Sequence, residues 1–276
     1  MATDTTGTPP SEAPPRGGSF TPAPGAAPLP RMIAAQAALE TRMLLRNGEQ
    51  LLLTVLIPTL LLVLFSAVDI IELPGTAADG GGDERADFLT PGILALAVLS
   101  TAFTGQAIST GFDRRYGALK RLAASPLPRW GLMTAKTCSV LVIELLQVLL
   151  LMAVALTLGW SPHGNPAAVV LLLLAGTAAF SGLGLLMAGT LRAEATLAAA
   201  NLVFILLLVG GGVIVPLEKF PPGVRDALEL LPITALSDGL RDVLQHGAGV
   251  PWGALAVLGC WAVLGLAAAA RFFRWE

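Results

Sequence analysis

The sequence predicts an all-α membrane protein. It would have six transmembrane helices, an N-terminal cytoplasmic interfacial helix, short outer-leaflet amphipathic helices between spans five and six, and both termini in the cytoplasm. Three observations lead there. Only 13% of the residues are charged while 54% are hydrophobic, about half the charged fraction of a soluble domain. The apolar residues come in runs of about 20, the length that crosses a hydrocarbon core. Lys and Arg are concentrated in alternate connecting segments, as membrane topology requires.

Residues 1–30 are rich in Pro, Ala, Gly and Thr and have no apolar core of a signal peptide. With so little to bury, this stretch is expected to be a disordered tail, and the folded domain to span 31–276. Residues 31–49 read as a helix that lies in the interface. Ile33, Ala37, Met43 and Leu44 can share an apolar face, with Arg42, Arg46 and Glu49 beside it.

The first span is Leu51–Val68, about 27 Å long at ~1.5 Å per residue, with a kink expected at Pro58. The others are about Phe88–Phe112, Thr137–Trp160, Pro166–Leu191, Ala195–Val215 and Trp252–Ala270. A very short turn holding Arg192 and Glu194 joins the fourth to the fifth. With the N-terminus inside, the outer segments hold only Arg85, Lys219, Arg225 and Arg241, and every other Lys and Arg falls inside. The first outer loop is acidic, with Asp69, Glu72, Asp79, Asp83, Glu84 and Asp87, and with Gly80–Gly82 in it the loop is expected to be mobile.

The outer segment 216–244 is too polar to span and too apolar to float in water. Leu228, Leu231, Ile233, Leu236, Leu240, Val243 and Leu244 alternate with charges. One or two short amphipathic helices, broken near Pro232, fit it. Irregular backbone at membrane depth needs protein or water around it, so this element should pack within the bundle.

No P-loop, H-E-x-x-H, G-x-S-x-G or Asp-rich diphosphate motif occurs. Catalytic residues and a metal site are therefore not expected. A net charge of −2 gives no reason to expect a nucleic-acid partner. Cys138 and Cys260 lie in apolar runs and read as packing residues. His163 and His246 stand alone in loops. Glu144 is the one carboxylate well inside a span, with Gln147 three residues on and hence expected on the same helical face. The pair is a candidate for the translocation path, or else a contact that ties two helices together. Gly184 and Ala188 have the small-xxx-small spacing that lets helices approach closely.

The stretch 113–136, DRRYGALKRLAASPLPRWGLMTAK, carries Arg114, Arg115, Lys120, Arg121, Arg129 and Lys136 between two apolar runs. Attraction to anionic headgroups explains its sign. It does not explain Tyr116, Leu119 and Leu122 at helical spacing, followed by a break at Pro126 and Pro128. A short helix with apolar anchors and a basic rim also suits protein docking.

This stretch, with RMLLRNGEQLLLTVLIPTLLLVLF before it and VIVPLEKFPP and LPITALSDGLRDVL after it, resembles the membrane subunits of type-2 ABC exporters, particularly those similar to daunorubicin and antibiotic exporters. The resemblance covers about 31–276. It departs at Asp113–Arg115 and Ala118, where the family often has Glu and Thr. It implies a half-transporter in the bacterial cell membrane, paired with a second permease subunit, a homodimer before a heterodimer. Each subunit would sit on a separate P-loop ABC ATPase that holds the ATP and Mg²⁺, leaving no cofactor on this chain. Arg115, Tyr116, Gly117, Leu119, Lys120, Arg121, Leu122 and Pro126 would belong to the ATPase-coupling loop. The cargo implied is a lipophilic drug or antibiotic, a lipid, or a lipid-linked molecule, moved outward. Two other readings are a proton-coupled secondary carrier centred on Glu144, and a membrane immunity or scaffold protein without transport.

Overall fold

The computed structural model describes residues 27–67, 82–213 and 221–273. Most of the expected tail, the acidic loop 68–81, and Pro216 and Lys219 lie outside the described residues. Among those described there are eleven α-helices and no strand. They are α1 (Leu29–Arg46), α2 (Gly48–Ala67), α3 (Gly82–Val98), α4 (Gln106–Arg115), α5 (Ala118–Ala123), α6 (Arg129–Thr157), α7 (Pro166–Thr190), α8 (Ala193–Gly210), α9 (Pro222–Glu229), α10 (Pro232–Leu244) and α11 (Trp252–Phe272). A π-helical segment, Leu99–Gly105, joins α3 to α4 without a break.

Five helices among the described residues are long and apolar enough to cross a membrane: Arg85–Arg115, Arg129–Thr157, Pro166–Thr190, Ala193–Gly210 and Trp252–Phe272. The expected first span falls on α2, whose stretch Thr54–Ala67 is a shorter apolar helix. The expected bounds of the other five shift by a few residues. The largest shift is at α6, which begins at Arg129 because Pro128 sets the extended residue before it.

Membrane helices gain little from apolar contact with one another, so close backbone packing and polar contacts decide which helices pair. The most extensive seam is between α7 and α11. There Gly182 faces Gly265, and a Cβ on Gly182 would sit 2.7 Å from the backbone nitrogen of Leu266. The expected small-residue position Gly184 serves a different neighbour. A Cβ there would lie 2.8 Å from the carbonyl of Phe103 in the π-helical segment. The wider π turn pushes that carbonyl outward, and only glycine leaves room for it.

The face that α1 turns to the protein differs from expectation. Gln36 and Glu40 are its buried residues, Ile33, Ala37 and Leu44 are half-buried, and Met43 is exposed. Ion pairing, described below, outweighs apolar burial in orienting this helix. Cys138 and Cys260 are likewise exposed on the outside of their helices, not packed within. On a membrane bundle the outside is apolar too, so hydrophobicity alone does not distinguish core from surface.

Helices α9 and α10 occupy residues 222–244 of the expected region, with extended Leu231 between them and Pro232 starting α10. Ile233, Leu236, Leu240, Val243 and Leu244 of α10 are buried among α3, α7 and α11. Arg241 anchors it, donating to the carbonyls of Gly212 and Val213 at 2.9 and 3.2 Å. Its guanidinium also pairs with Asp238 and lies 4.6 Å from the Phe88 ring centroid.

The connecting segments sort to two ends of the bundle. At one end, Arg114 donates to the carbonyl of Leu191, Arg115 pairs with Glu194, and Arg129 donates to the carbonyl of Phe273 at 3.4 Å. At the other, Asp87 accepts from the backbone of Ser161 at 3.0 Å, and His163 donates its backbone N–H to Leu244 at 3.0 Å.

Candidate functional site

The basic stretch folds into the end of α4, a turn, α5 and the start of α6. Tyr116 ends α4, stacked on Phe112 with centroids 6.0 Å apart. Gly117 has φ 74°, the left-handed region that side chains disfavour, and its missing Cβ would face open space. Glycine is needed there for the reversal into α5, not for room. Ser125 then donates to the carbonyl of Leu122 at 2.6 Å, which closes the helix before Pro126.

The structure divides the candidate coupling residues between two faces. Arg115, Tyr116, Lys120, Arg121 and Pro126 are exposed, Tyr116 at 70%. Gly117 is half-buried. Leu119, expected as an outward anchor, is 0% exposed. It packs with Leu127, Leu132, Met133, Leu185, Ala269 and Phe273, and half-buried Leu122 leans on the same cluster. The apolar side of the turn thus fastens α5 to its own bundle. Its outward side is a mostly basic surface with one aromatic ring at the edge.

Behind α5 lies a group that the charge count alone did not single out. Lys136, 4% exposed, donates to Glu40 of α1 at 3.1 Å and to Asp113 of α4 at 2.8 Å. Gln36 donates to the same Glu40 at 2.9 Å. A buried ammonium held by two carboxylates ties together α1 and the helices on both sides of α5. Its signal in the sequence was a Lys placed inside an apolar run, with Gln36 and Glu40 one turn apart on α1.

Glu144 and Gln147 do not share one site. Glu144, 3% exposed, faces α7, where the Thr177 hydroxyl lies 2.7 Å from both of its carboxylate oxygens. It sits at the floor of an apolar groove of about 230 Å³ between α6 and α7, walled by Leu141, Leu145, Val148 and Leu173. Gln147 faces the other way. It accepts from Thr101 of the π-helical segment at 2.8 Å and donates to the carbonyl of Thr54 in α2 at 2.7 Å. One helix position to the next turns by about 100°, and a three-residue step is enough to send the two side chains to different helices. A third polar contact, Ser181 to Gln106 at 2.7 Å, joins α7 to the start of α4. Among the described residues no cluster of His, Cys, Asp and Glu could hold a metal ion.

A family model described as ABC-2 family transporter protein matches residues 68–271. The matched region runs from α3 to α11 and includes α5 and the π-helical segment. No curated protein matches the chain.

Proposed function

The chain belongs to the ABC-2 family of transporter proteins, and on that footing we propose that it is the permease subunit of an ATP-driven exporter. Members of this family are membrane subunits and are not themselves catalytic. In this proposal a separate ABC ATPase carries ATP and Mg²⁺, and two copies of the permease chain enclose the path. Helix α2 completes a set of six spans, with both termini on the cytoplasmic side of a bacterial cell membrane. The cargo class is a lipophilic drug or antibiotic, a lipid, or a lipid-linked molecule.

The observation that carries the reading is the outward face of α5. Lys120 and Arg121 are presented at one end of the bundle, on a helix whose other face is locked by Leu119, with Tyr116 beside them at the end of α4. A rigid exposed element transmits a push, where a loose loop would absorb it. The α4–α8 pair Arg115–Glu194, and the bond from Arg114 to Leu191 between α7 and α8, would spread that push to the neighbouring turn.

Co-expression with the cognate ATPase and purification through a tag on this chain tests the proposal. A stoichiometric complex, with ATP hydrolysis dependent on the permease, is the expected result. A membrane-inserted chain that never retains an ATPase would overturn it.

A further inference from the structure

We propose that the cavity between α1, α2, α4 and α6 binds the ammonium head of a small amphiphile. The cavity has a volume of about 210 Å³, far above the roughly 10–15 Å³ that one water needs. It lies within one subunit, beside the buried Lys136 cluster.

Three properties of its wall define the guest. Its charged lining residues are Glu40, Asp113 and Lys136, so two carboxylates face one ammonium. The formal excess is one negative charge, which favours a cation and opposes an anion. Deeper in, Gln106 and Thr110 are both almost wholly buried, and Gln106 Nε2 and Thr110 Oγ1 have no hydrogen-bond partner. Buried groups of this kind call for a partner, so the guest should also carry a hydrogen-bonding atom or bring a water. The rest of the wall mixes the polar Asn47, Thr54, Thr101, Ser109 and Ser139 with an apolar surface that includes Leu44, Leu51, Val140 and Ile143. A bare inorganic cation would leave that surface wet, and a pure hydrocarbon would leave the Gln106 amide unmet.

The position gives the site a consequence, which rests on the exporter reading. The guest's ammonium would compete with Lys136 for Glu40 and Asp113. Those contacts join α1 to the two helices flanking α5, so occupancy would be felt at the surface proposed to meet the ATPase.

The site can be tested without any ATPase. The full-length chain carrying Cys138→Ala, Cys260→Ala and Ser109→Cys is placed in phosphatidylcholine nanodiscs, because Ser109 lines the cavity. Labelling by a neutral methanethiosulfonate is followed with n-octylammonium, n-octanol or n-octyl sulfate at equal membrane loading. Octylammonium should slow labelling about tenfold, equivalent to ~1.4 kcal/mol, and the other two less than twofold. Asp113→Asn should remove the preference. The guest comparison is made with the charges intact, so it stands even if that variant does not fold. Equal slowing by all three guests, or none by octylammonium, overturns the proposal.

Repeating the experiment in phosphatidylethanolamine identifies the source. Slow labelling with no added guest means that the lipid headgroup fills the site. Fast labelling that octylammonium slows means that a free amphiphile does. If octylammonium protects the cavity but no ATPase is retained on purification, the site stands and the exporter reading falls. If the complex forms and the cavity shows no ammonium preference, the reverse holds.

Discussion

Gln147 of α6 donates its side-chain amide to the backbone carbonyl of Thr54 in α2 at 2.7 Å. Residue 58 would normally donate its N–H to that carbonyl, four residues back along the helix, but residue 58 is proline and has none. The side chain of one helix thus stands in for the missing backbone donor of another. Gln147→Leu would remove that donor and also the acceptor of Thr101. We expect a loss of about 1–2 kcal/mol in thermal or steric-trap unfolding. In a Pro58→Ala background, which restores the backbone N–H, the same substitution should cost clearly less. Strictly additive effects in the double-mutant cycle would refute the substitution of one donor for the other.

The Lys136 cluster should behave as a buried ion pair does when one member is removed. Lys136→Met leaves Glu40, itself 7% exposed, without its counter-charge. The expected cost is about 3–5 kcal/mol, seen as a large fall in the melting temperature of the purified chain. Adding Glu40→Gln and Asp113→Asn to Lys136→Met should recover much of it. If the single variant melts like the unaltered chain, the cluster is not holding α1 in place.

The two faces of α5 should separate folding from coupling. Lys120→Glu with Arg121→Glu, or Tyr116→Asp, should leave melting within about 0.5 kcal/mol of the parent, as exposed substitutions usually do. The same variants should lose ATPase co-purification and transport. Leu119→Ala should act in the opposite sense, destabilising by about 2–5 kcal/mol through the cavity it leaves. Retained transport in the Tyr116, Lys120 and Arg121 variants would remove this surface from the mechanism.

Close backbone approach makes Gly182 and Gly184 intolerant of any side chain. A Cβ at either position meets backbone atoms at 2.7–2.8 Å, which cannot turn aside as a flexible side chain would. Gly184→Ala should cost about 1–3 kcal/mol and disturb the π-helical segment. Gly253→Ala, where nothing lies within 4 Å, is the matched control and should be nearly silent. Equal stability of the Gly184 and Gly253 variants would contradict the packing described.

Glu144 offers a direct test between transport mechanisms. Glu144→Gln keeps the size of the side chain and can still bond Thr177, so transport and its pH dependence should be unchanged. Under the proton-coupled carrier reading the same variant would uncouple transport from the proton gradient. A flux assay in vesicles with and without an imposed pH difference distinguishes the two.

Much of the helical plan was legible because a bilayer restricts the sequence so strongly. Runs of about 20 apolar residues mark spans, and Pro166 and Pro232 mark helix starts. The break within 216–244 and its packing inside the bundle followed from the same rule about unsatisfied backbone. The π-helical segment was not legible. The run LSTAFTG is compatible with an ordinary helix, and only the neighbouring Gly184 and the partners of Thr101 show why the wider turn is accommodated. Nor did hydrophobicity show which side of α1 or α5 faces the protein, since apolar residues lie on the outside as well as in the core.

The sequence by itself determined that this is a multi-pass helical protein, where most of its helices begin and end, and that one connecting segment concentrates basic charge. These are local properties, set by hydropathy, by proline and by the backbone's demand for hydrogen bonds. Tertiary structure alone decided that Leu119 faces inward while Tyr116 and Lys120 face outward. It also decided that Glu144 and Gln147 serve different helices, and that Lys136 meets Glu40 and Asp113 from far along the chain. Such pairings depend on how helices rotate about their axes. In a membrane the few buried polar groups and the closest backbone contacts set that rotation, and a one-dimensional pattern does not say which of them meet.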